Sequence, residues 1–198
     1  MIDWLYDAAK LTLGILFKAW RMKVYGAENV PASGPVIIAC NHVSYFDPPL
    51  LGTGCPRRIR YMAKRELFNI PLLGALIRGF GAYPVERHAA PMAAVRRSVE
   101  QLRAGQAIGI FPEGTRNLDG TVQAREGVAL LASLGRAPVV PACVVGTRRP
   151  AGFRPFRVIF GRPLSLPEGR KASRDDLANF TEQVMKAIHE LPEIIDGN

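Results

Sequence analysis

Residues 1–22 place Asp3, Asp7, Lys10, Gly14, Lys18 and Arg21 at helical spacing, in one wedge of about 80°. The rest of the circumference is left to Leu, Ile, Phe, Trp, Tyr, Met, Ala and a single Thr. The acids lie near the start and the bases near the end, as the helix dipole favours, and Trp4 and Trp20 stand close to the two ends. So broad an apolar surface fits either a helix packed deep in its own domain or one lying in the lipid interface. Further along, short apolar runs alternate with amphipathic helices. Strands are predicted over Val36 to Ala39, Arg60 to Ala63, Ala107 to Phe111, Val139 to Val145 and Arg157 to Phe160, several of them β-branched and bounded by Gly or Pro. Helices are predicted from Pro91 to Ala104, with Met92, Val95, Val99 and Leu102 on one face, and from Glu126 to Leu134. A last helix starts after Ser173, an N-cap with Asp176 three residues on, and carries Leu177, Phe180, Val184, Ile188 and Leu191 as its core stripe.

Strand alternating with helix implies an α/β fold: a single domain with a largely parallel or mixed central sheet flanked by helices. The expected division is an interfacial helix over residues 1–24 and one domain over 25–198. No internal repeat, low-complexity tract or linker breaks the second part, although Pro155 to Ser173 is rich in loop residues.

Composition narrows this picture. A chain of 198 residues that is 48% hydrophobic suffices for one buried core. The net charge of +9 calls for an anionic partner or surface. Nucleic acid is the poorest of the candidates, because neither aromatic interleaving nor a recognition fold is visible. Arg57, Arg58, Arg60, Lys64 and Arg65 cluster before the apolar run LFNIPLLGALI, a combination suited to an anionic bilayer surface. Cys40, Cys55 and Cys143 are odd in number and lack C-x-x-C spacing, so neither a disulfide framework nor a zinc site is expected, and a reducing compartment is. His42, His88 and His189 stand far apart without ligand spacing, so no metal is expected. Acids where a secretory signal needs bases make Met1 the expected start of the mature chain. No run reaches the ~18 apolar residues of a membrane span, so any membrane attachment is expected to be peripheral or monotopic.

Two segments could carry chemistry. NHVSYFDP, Asn41 to Pro48, follows the apolar strand PVIIAC and so sits at a strand's carboxyl end, where open α/β sheets place ligands. The spacing of His42 and Asp47 lets the carboxylate reach back to one imidazole nitrogen, fixing the tautomer and raising the basicity of the other. The plainer alternative is a helix N-cap by Asp47 beside a satisfied histidine. FPEGTRN, Phe111 to Asn117, follows the strand AIGI. Gly114 permits close backbone approach, and Thr115, Arg116 and loop N–H groups suit an anion such as phosphate. Glu113 suits a polyol hydroxyl or Arg116, and the plainer alternative here is a tight turn with a salt bridge.

Taken together, NH-x-x-x-x-D followed by FPEGTR resembles two signature blocks of the glycerolipid acyltransferases of the PlsC type, which include the 1-acylglycerol-3-phosphate acyltransferases. AKREL at Ala63 to Leu67, GAYPVER at Gly81 to Arg87 and VVPACVVGT at Val139 to Thr147 resemble further pieces in the family's order. Glu86 stands before Arg87 where the family more usually has Asp, and Arg125 where many members have Lys. The resemblance implies transfer of a fatty acyl group from a thioester, acyl-CoA or acyl carrier protein, to the sn-2 hydroxyl of lysophosphatidate, without a further cofactor. It implies His42 as base and Asp47 as its orienter, with Lys64, Arg87, Glu113, Gly114, Thr115 and Arg116 at the phosphate and glycerol site. The expected location is the cytoplasmic face of the cell membrane, against an anionic lipid surface. A different lysolipid acceptor, or silent lipid binding, is the alternative. Ser44 and Cys40 flank the histidine as conceivable nucleophiles, but a thioester already has a good leaving group and needs no acyl-enzyme. Loop N–H groups around Gly114 are candidate donors to the oxyanion.

Overall fold

The computed structural model describes residues 3–85, 91–118, 121–122, 127–148, 155–167 and 172–196. Strands and helices alternate in the order α1 (Asp3–Ala19), β1 (Lys23–Tyr25), β2 (Val36–Cys40), α2 (Asp47–Gly54), β3 (Ile59–Lys64), α3 (Leu73–Gly79), β4 (Tyr83–Val85), α4 (Pro91–Arg103), β5 (Ala107–Ile110), α5 (Gly127–Gly135), β6 (Val139–Val145), β7 (Arg157–Phe160) and α6 (Arg174–Asp196). The strands form one seven-stranded sheet in the order β1-β7-β6-β2-β5-β3-β4. Among the described residues β6 and β7 are the one pair of strands that runs antiparallel, beside an isolated antiparallel bridge between Val139 and Leu164. The sheet is therefore mixed but mostly parallel, as the strand–helix alternation implies.

Both faces are covered, which is why β2 is a continuous apolar run rather than an alternating one. Val36, Ile38 and Cys40 of β2 pack with Phe17 of α1 and Leu50 and Leu51 of α2 on one face. Ile37 and Ala39 pack with Leu102 of α4, Leu131 of α5 and Val184 and Ile188 of α6 on the other. The last helix opens on a capping box: the Ser173 N–H donates to Asp176 Oδ2 at 2.8 Å and the Asp176 N–H donates to Ser173 Oγ at 3.1 Å. In α4, Val99 and Leu102 are buried, but Met92 in the first turn is exposed, and Ala94 and Val95 border an apolar cleft.

Two strands and two helices go beyond the sequence reading. β1 and β4 are three-residue edge strands, and Pro84 is tolerated in β4 because an edge strand needs only one ladder. α2 begins DPP, where Pro in the first turn removes only N–H groups that would have no helical partner. α3 is a short helix that starts within the run LFNIPLLGALI and ends just beyond it at Gly79.

Helix α1 is two-sided. Tyr6 and Phe17 are buried against the domain, the Tyr6 hydroxyl accepts the Ile59 N–H at 3.1 Å, and Lys10 Nζ donates to the Cys55 carbonyl at 2.5 Å. The opposite arc leaves Leu11 67%, Ile15 63% and Leu16 50% exposed. Trp20 packs on Phe156, and the side chain of Trp4 lies outside the described residues. Among the described residues no helix is long and apolar enough to cross a membrane.

The basic run before LFNIPLLGALI is divided between the two edges of the sheet. Arg57 donates to the carbonyls of Pro31, Gly34 and Gly105, Arg58 pairs with Asp7, and Arg60 donates to Gln106, all at or near the start of β3. Lys64 and Arg65 lie at its far end.

Candidate active site

Because β2, β5, β3, β4 and β6 run parallel, their carboxyl ends share one edge of the sheet. The segments after β2, β5 and β6 therefore converge there, and Lys64 ends β3 on the same edge, exposed. Asn41 fastens the β2 exit to β6, accepting the Val144 N–H at 2.8 Å and donating to the Val144 carbonyl at 3.1 Å.

Asp47, fully buried, organises the turn that follows. Its Oδ2 accepts the N–H groups of Val43 and Ser44, both at 2.7 Å, and lies 3.1 Å from His42 Nδ1. Its Oδ1 accepts the Thr147 hydroxyl at 2.6 Å. The carboxylate thus looks back along the chain rather than forward into α2, whose N-cap is Phe46. An acceptor facing Nδ1 assigns that nitrogen its proton and leaves the lone pair on Nε2, which makes no hydrogen bond among the described residues. The imidazole is also held face to face by Phe111, with centroids 4.3 Å apart and planes at 28°.

The main chain of His42 is clamped by the FPEGTRN segment. Glu113 Oε2 accepts the His42 N–H at 2.8 Å, and the Asn117 N–H donates to the His42 carbonyl at 2.7 Å. Asn117 Nδ2 donates to Glu113 Oε1 at 3.3 Å, closing the ring. Glu113 is itself buried, and burial pushes its carboxyl above the usual range, countered by the bonds from Asn117 and from the His42 N–H. Its partners are thus the brace around His42, while the Arg116 guanidinium lies 3.9 Å over the ring of Tyr45. Gly114 holds φ at 70°, and its N–H donates to the Phe111 carbonyl at 2.9 Å, so that N–H is already committed. Thr115 is exposed at the loop tip.

Of the residues expected at the site, the structure brings His42, Asp47, Glu113 and Gly114 together, with Thr115, Arg116 and Lys64 at the same edge; Arg87 lies outside the described residues. Cys40 is fully buried, and burial pushes its thiol well above the ordinary range, which does not suit a nucleophile. Asn41, Phe111, Asn117 and Thr147 went without a role in the sequence reading although each lies in a quoted segment. Their partners are main-chain groups, a ring face and a carboxylate, which no residue pattern displays. Beside Phe111 and Gly114 opens a cleft of about 210 Å³, bordered also by Met62, Val85, Val95 and Leu131.

An imidazole whose Nε2 is unbonded among the described residues, cationic side chains on the same edge and an adjoining apolar cleft suit the activation of a lipid hydroxyl next to a fatty chain, which is the task of a lipid acyltransferase. The comparisons with known proteins agree. A family model described as Acyltransferase matches residues 21–145. A 1-acyl-sn-glycerol-3-phosphate acyltransferase of Bacillus subtilis is 35% identical over 182 residues, 88% of this chain and 90% of that one. The Saccharomyces cerevisiae protein of the same name is 32% identical over 148 residues, 72% of this chain and 47% of that one. The crystal structure of the 1-acyl-sn-glycerophosphate acyltransferase PlsC from Thermotoga maritima superposes with a TM-score of 0.73 at 26% identity, covering 96% of this chain and 79% of that one. The chain belongs to the Acyltransferase family, and it is an acyltransferase.

Proposed function

We propose that the enzyme transfers a fatty acyl group from acyl-CoA or acyl carrier protein to the free sn-2 hydroxyl of 1-acylglycerol-3-phosphate, giving phosphatidate for phospholipid synthesis at the cytoplasmic face of the cell membrane. The observation that carries this reading is the contact of His42 Nδ1 with the buried Asp47, on the edge from which FPEGTRN also emerges. Relatives named for this reaction support the choice of acceptor.

In this reaction Nε2 of His42 takes the hydroxyl proton as the acceptor oxygen attacks the thioester carbonyl. The tetrahedral intermediate collapses with cleavage of the C–S bond, and His42 returns the proton to the departing thiolate. The ester and the free thiol leave, with no acyl-enzyme. Asp47 keeps the tautomer and steadies the imidazolium. Lys64, Arg87, Thr115 and Arg116 bind the acceptor phosphate, and the turn at Gly114 keeps the loop backbone close to it. Glu113 contributes by fixing the His42 backbone. The apolar cleft beside Phe111 receives a fatty chain.

Exposed apolar side chains support a bilayer docked at the catalytic edge. Tyr45 and Phe46 stand in the His42 turn, and Trp20 follows α1 next to Phe156, which precedes β7 on that edge. Leu11, Ile15 and Leu16 continue the apolar surface along α1. An anionic lipid surface complements the basic chain.

The test is turnover by purified protein of labelled acyl-CoA and acyl carrier protein against a panel of lysolipids. Phosphatidate formed from lysophosphatidate is the expected product. Exclusive use of another lysolipid would replace the acceptor, and lipid binding with no turnover would make the protein a silent lipid binder.

A further inference from the structure

The segment VVPACVVGT supplies the catalytic edge with no charged side chain, yet it ends in a hydroxyl that is almost wholly enclosed. Thr147 is 1% exposed, and its Oγ1 donates to Asp47 Oδ1 at 2.6 Å across 100 residues of sequence. Valine has nearly the same shape, so packing alone does not explain a hydroxyl here. A buried hydroxyl costs free energy unless bonded, and Asp47 is the partner that offsets it. The chain is built to aim it. β6 lies against β2 with Cys40 opposite Ala142, and Asn41 grips both main-chain groups of Val144. Gly146 then adopts φ 97°, a conformation open to glycine, turning the chain so that the Thr147 side chain faces inward.

Without Thr147, Asp47 would keep, among the described residues, only the donors on Oδ2, the N–H groups of Val43 and Ser44 and His42 Nδ1. Those three restrain Oδ2, but Oδ1 would become a buried acceptor with no donor, a cost the carboxylate could relieve by turning about its Cβ–Cγ bond at the expense of the His42 contact. A donor on Oδ1 removes that cost and braces the second oxygen. We propose that Thr147 is a positioning residue for acyl transfer, holding the Asp47 carboxylate by Oδ1 so that Oδ2 stays directed at His42 Nδ1. The role rests on the general-base reading of His42 given above. It acts through Asp47 alone and touches neither substrate.

The test is steady-state kinetics of Thr147→Val, Thr147→Ser, Asp47→Ala and the Asp47→Ala/Thr147→Val pair on the intact protein, beside wild type. Thr147→Val is expected to lower kcat about tenfold to a hundredfold, the scale on which an unpaired buried acceptor is felt, with the KM of both substrates held within about twofold. Thr147→Ser, which keeps the hydroxyl, is expected to recover most of the rate. In the Asp47→Ala background the valine is expected to cost nothing further, because its route of action is gone. A Thr147→Val kcat within twofold of wild type would overturn the proposal. So would an equal loss with and without Asp47, or a Thr147→Ser variant as slow as the valine, since both mark a packing role. If Thr147→Val does not fold, the serine variant and Thr147→Ala are compared in the same way. Absence of acyl transfer by wild type would overturn the transfer reading and this role with it, whereas normal wild-type turnover with an indifferent Thr147 overturns this role only.

Discussion

Docking of α1 on lipid can be tested without disturbing the fold, because the helix presents different residues to the domain and to solvent. Deleting it would not be informative: Tyr6 and Phe17 belong to the core, so the truncated protein is expected to unfold whether or not the helix meets a membrane. The useful perturbation is the triple replacement of Leu11, Ile15 and Leu16 by Gln. These side chains are 67%, 63% and 50% exposed, so together they offer a little under two whole aliphatic side chains to an apolar phase. At about 1.5–3 kcal/mol per fully buried aliphatic side chain, their transfer into lipid is worth about 3–5 kcal/mol. That corresponds to roughly a hundredfold to several thousandfold in partitioning, at about 1.4 kcal/mol per decade. The assay is sedimentation with vesicles containing anionic lipid, with circular dichroism and thermal melting as controls for folding. The triple variant is expected to melt close to wild type and to stay in the supernatant at lipid concentrations that pellet wild type. A folded triple variant that pellets like wild type would refute the reasoning, and would move the attachment to Ile70, Leu72 and Leu76 around α3 or to Tyr45 and Phe46.

Glu113→Gln separates bracing from stability. Burial raises the Glu113 carboxyl, so the folded protein holds that proton more tightly than the unfolded chain; its contribution is fully present below the unfolded pKa and is lost as pH rises through the folded pKa. The amide cannot titrate, so the variant's melting temperature is expected to gain on wild type as pH rises from about 4 to about 7, and a pH-independent difference would count against it. Activity is expected to fall at every pH, because the amide sets an N–H against the N–H of His42 or the amide of Asn117. Arg116→Ala is expected to raise the acceptor KM by the equivalent of about 2 kcal/mol or more while sparing kcat, and Lys64→Ala to do so less, since Lys64 is exposed. An unchanged acceptor KM in both variants would remove them from the phosphate site.

What the sequence displayed and what it hid divide along physical lines. Central strands such as β2 and β6 read clearly because burial on both faces leaves long apolar runs. β1 and β4 did not, since an edge strand of three residues carrying Lys23 or Pro84 has neither length nor pattern. α2 was concealed by its two prolines and two glycines, though these prolines fall where a helix tolerates them. Circumference counting exposed the broad apolar surface of α1 but could not say which arc meets the domain, because that depends on where β3 and α2 lie in space. At the site, His42 and Asp47 were legible because their contact is local. Glu113 was read as a substrate group because its partner, the His42 N–H, is a main-chain donor 71 residues away and leaves no trace in side-chain spacing. Thr147 was overlooked because its partner, the Asp47 carboxylate, lies 100 residues away in sequence.

The central claim is that His42, oriented by Asp47, is the base that activates the acceptor hydroxyl. The most direct measurement is kcat for His42→Ala with lysophosphatidate and an acyl thioester, on protein whose folding is verified by circular dichroism. Loss of a general base is expected to lower kcat by about 10²–10⁴-fold, with acceptor KM little changed. A folded His42→Ala protein turning over at near the wild-type rate would contradict the assignment.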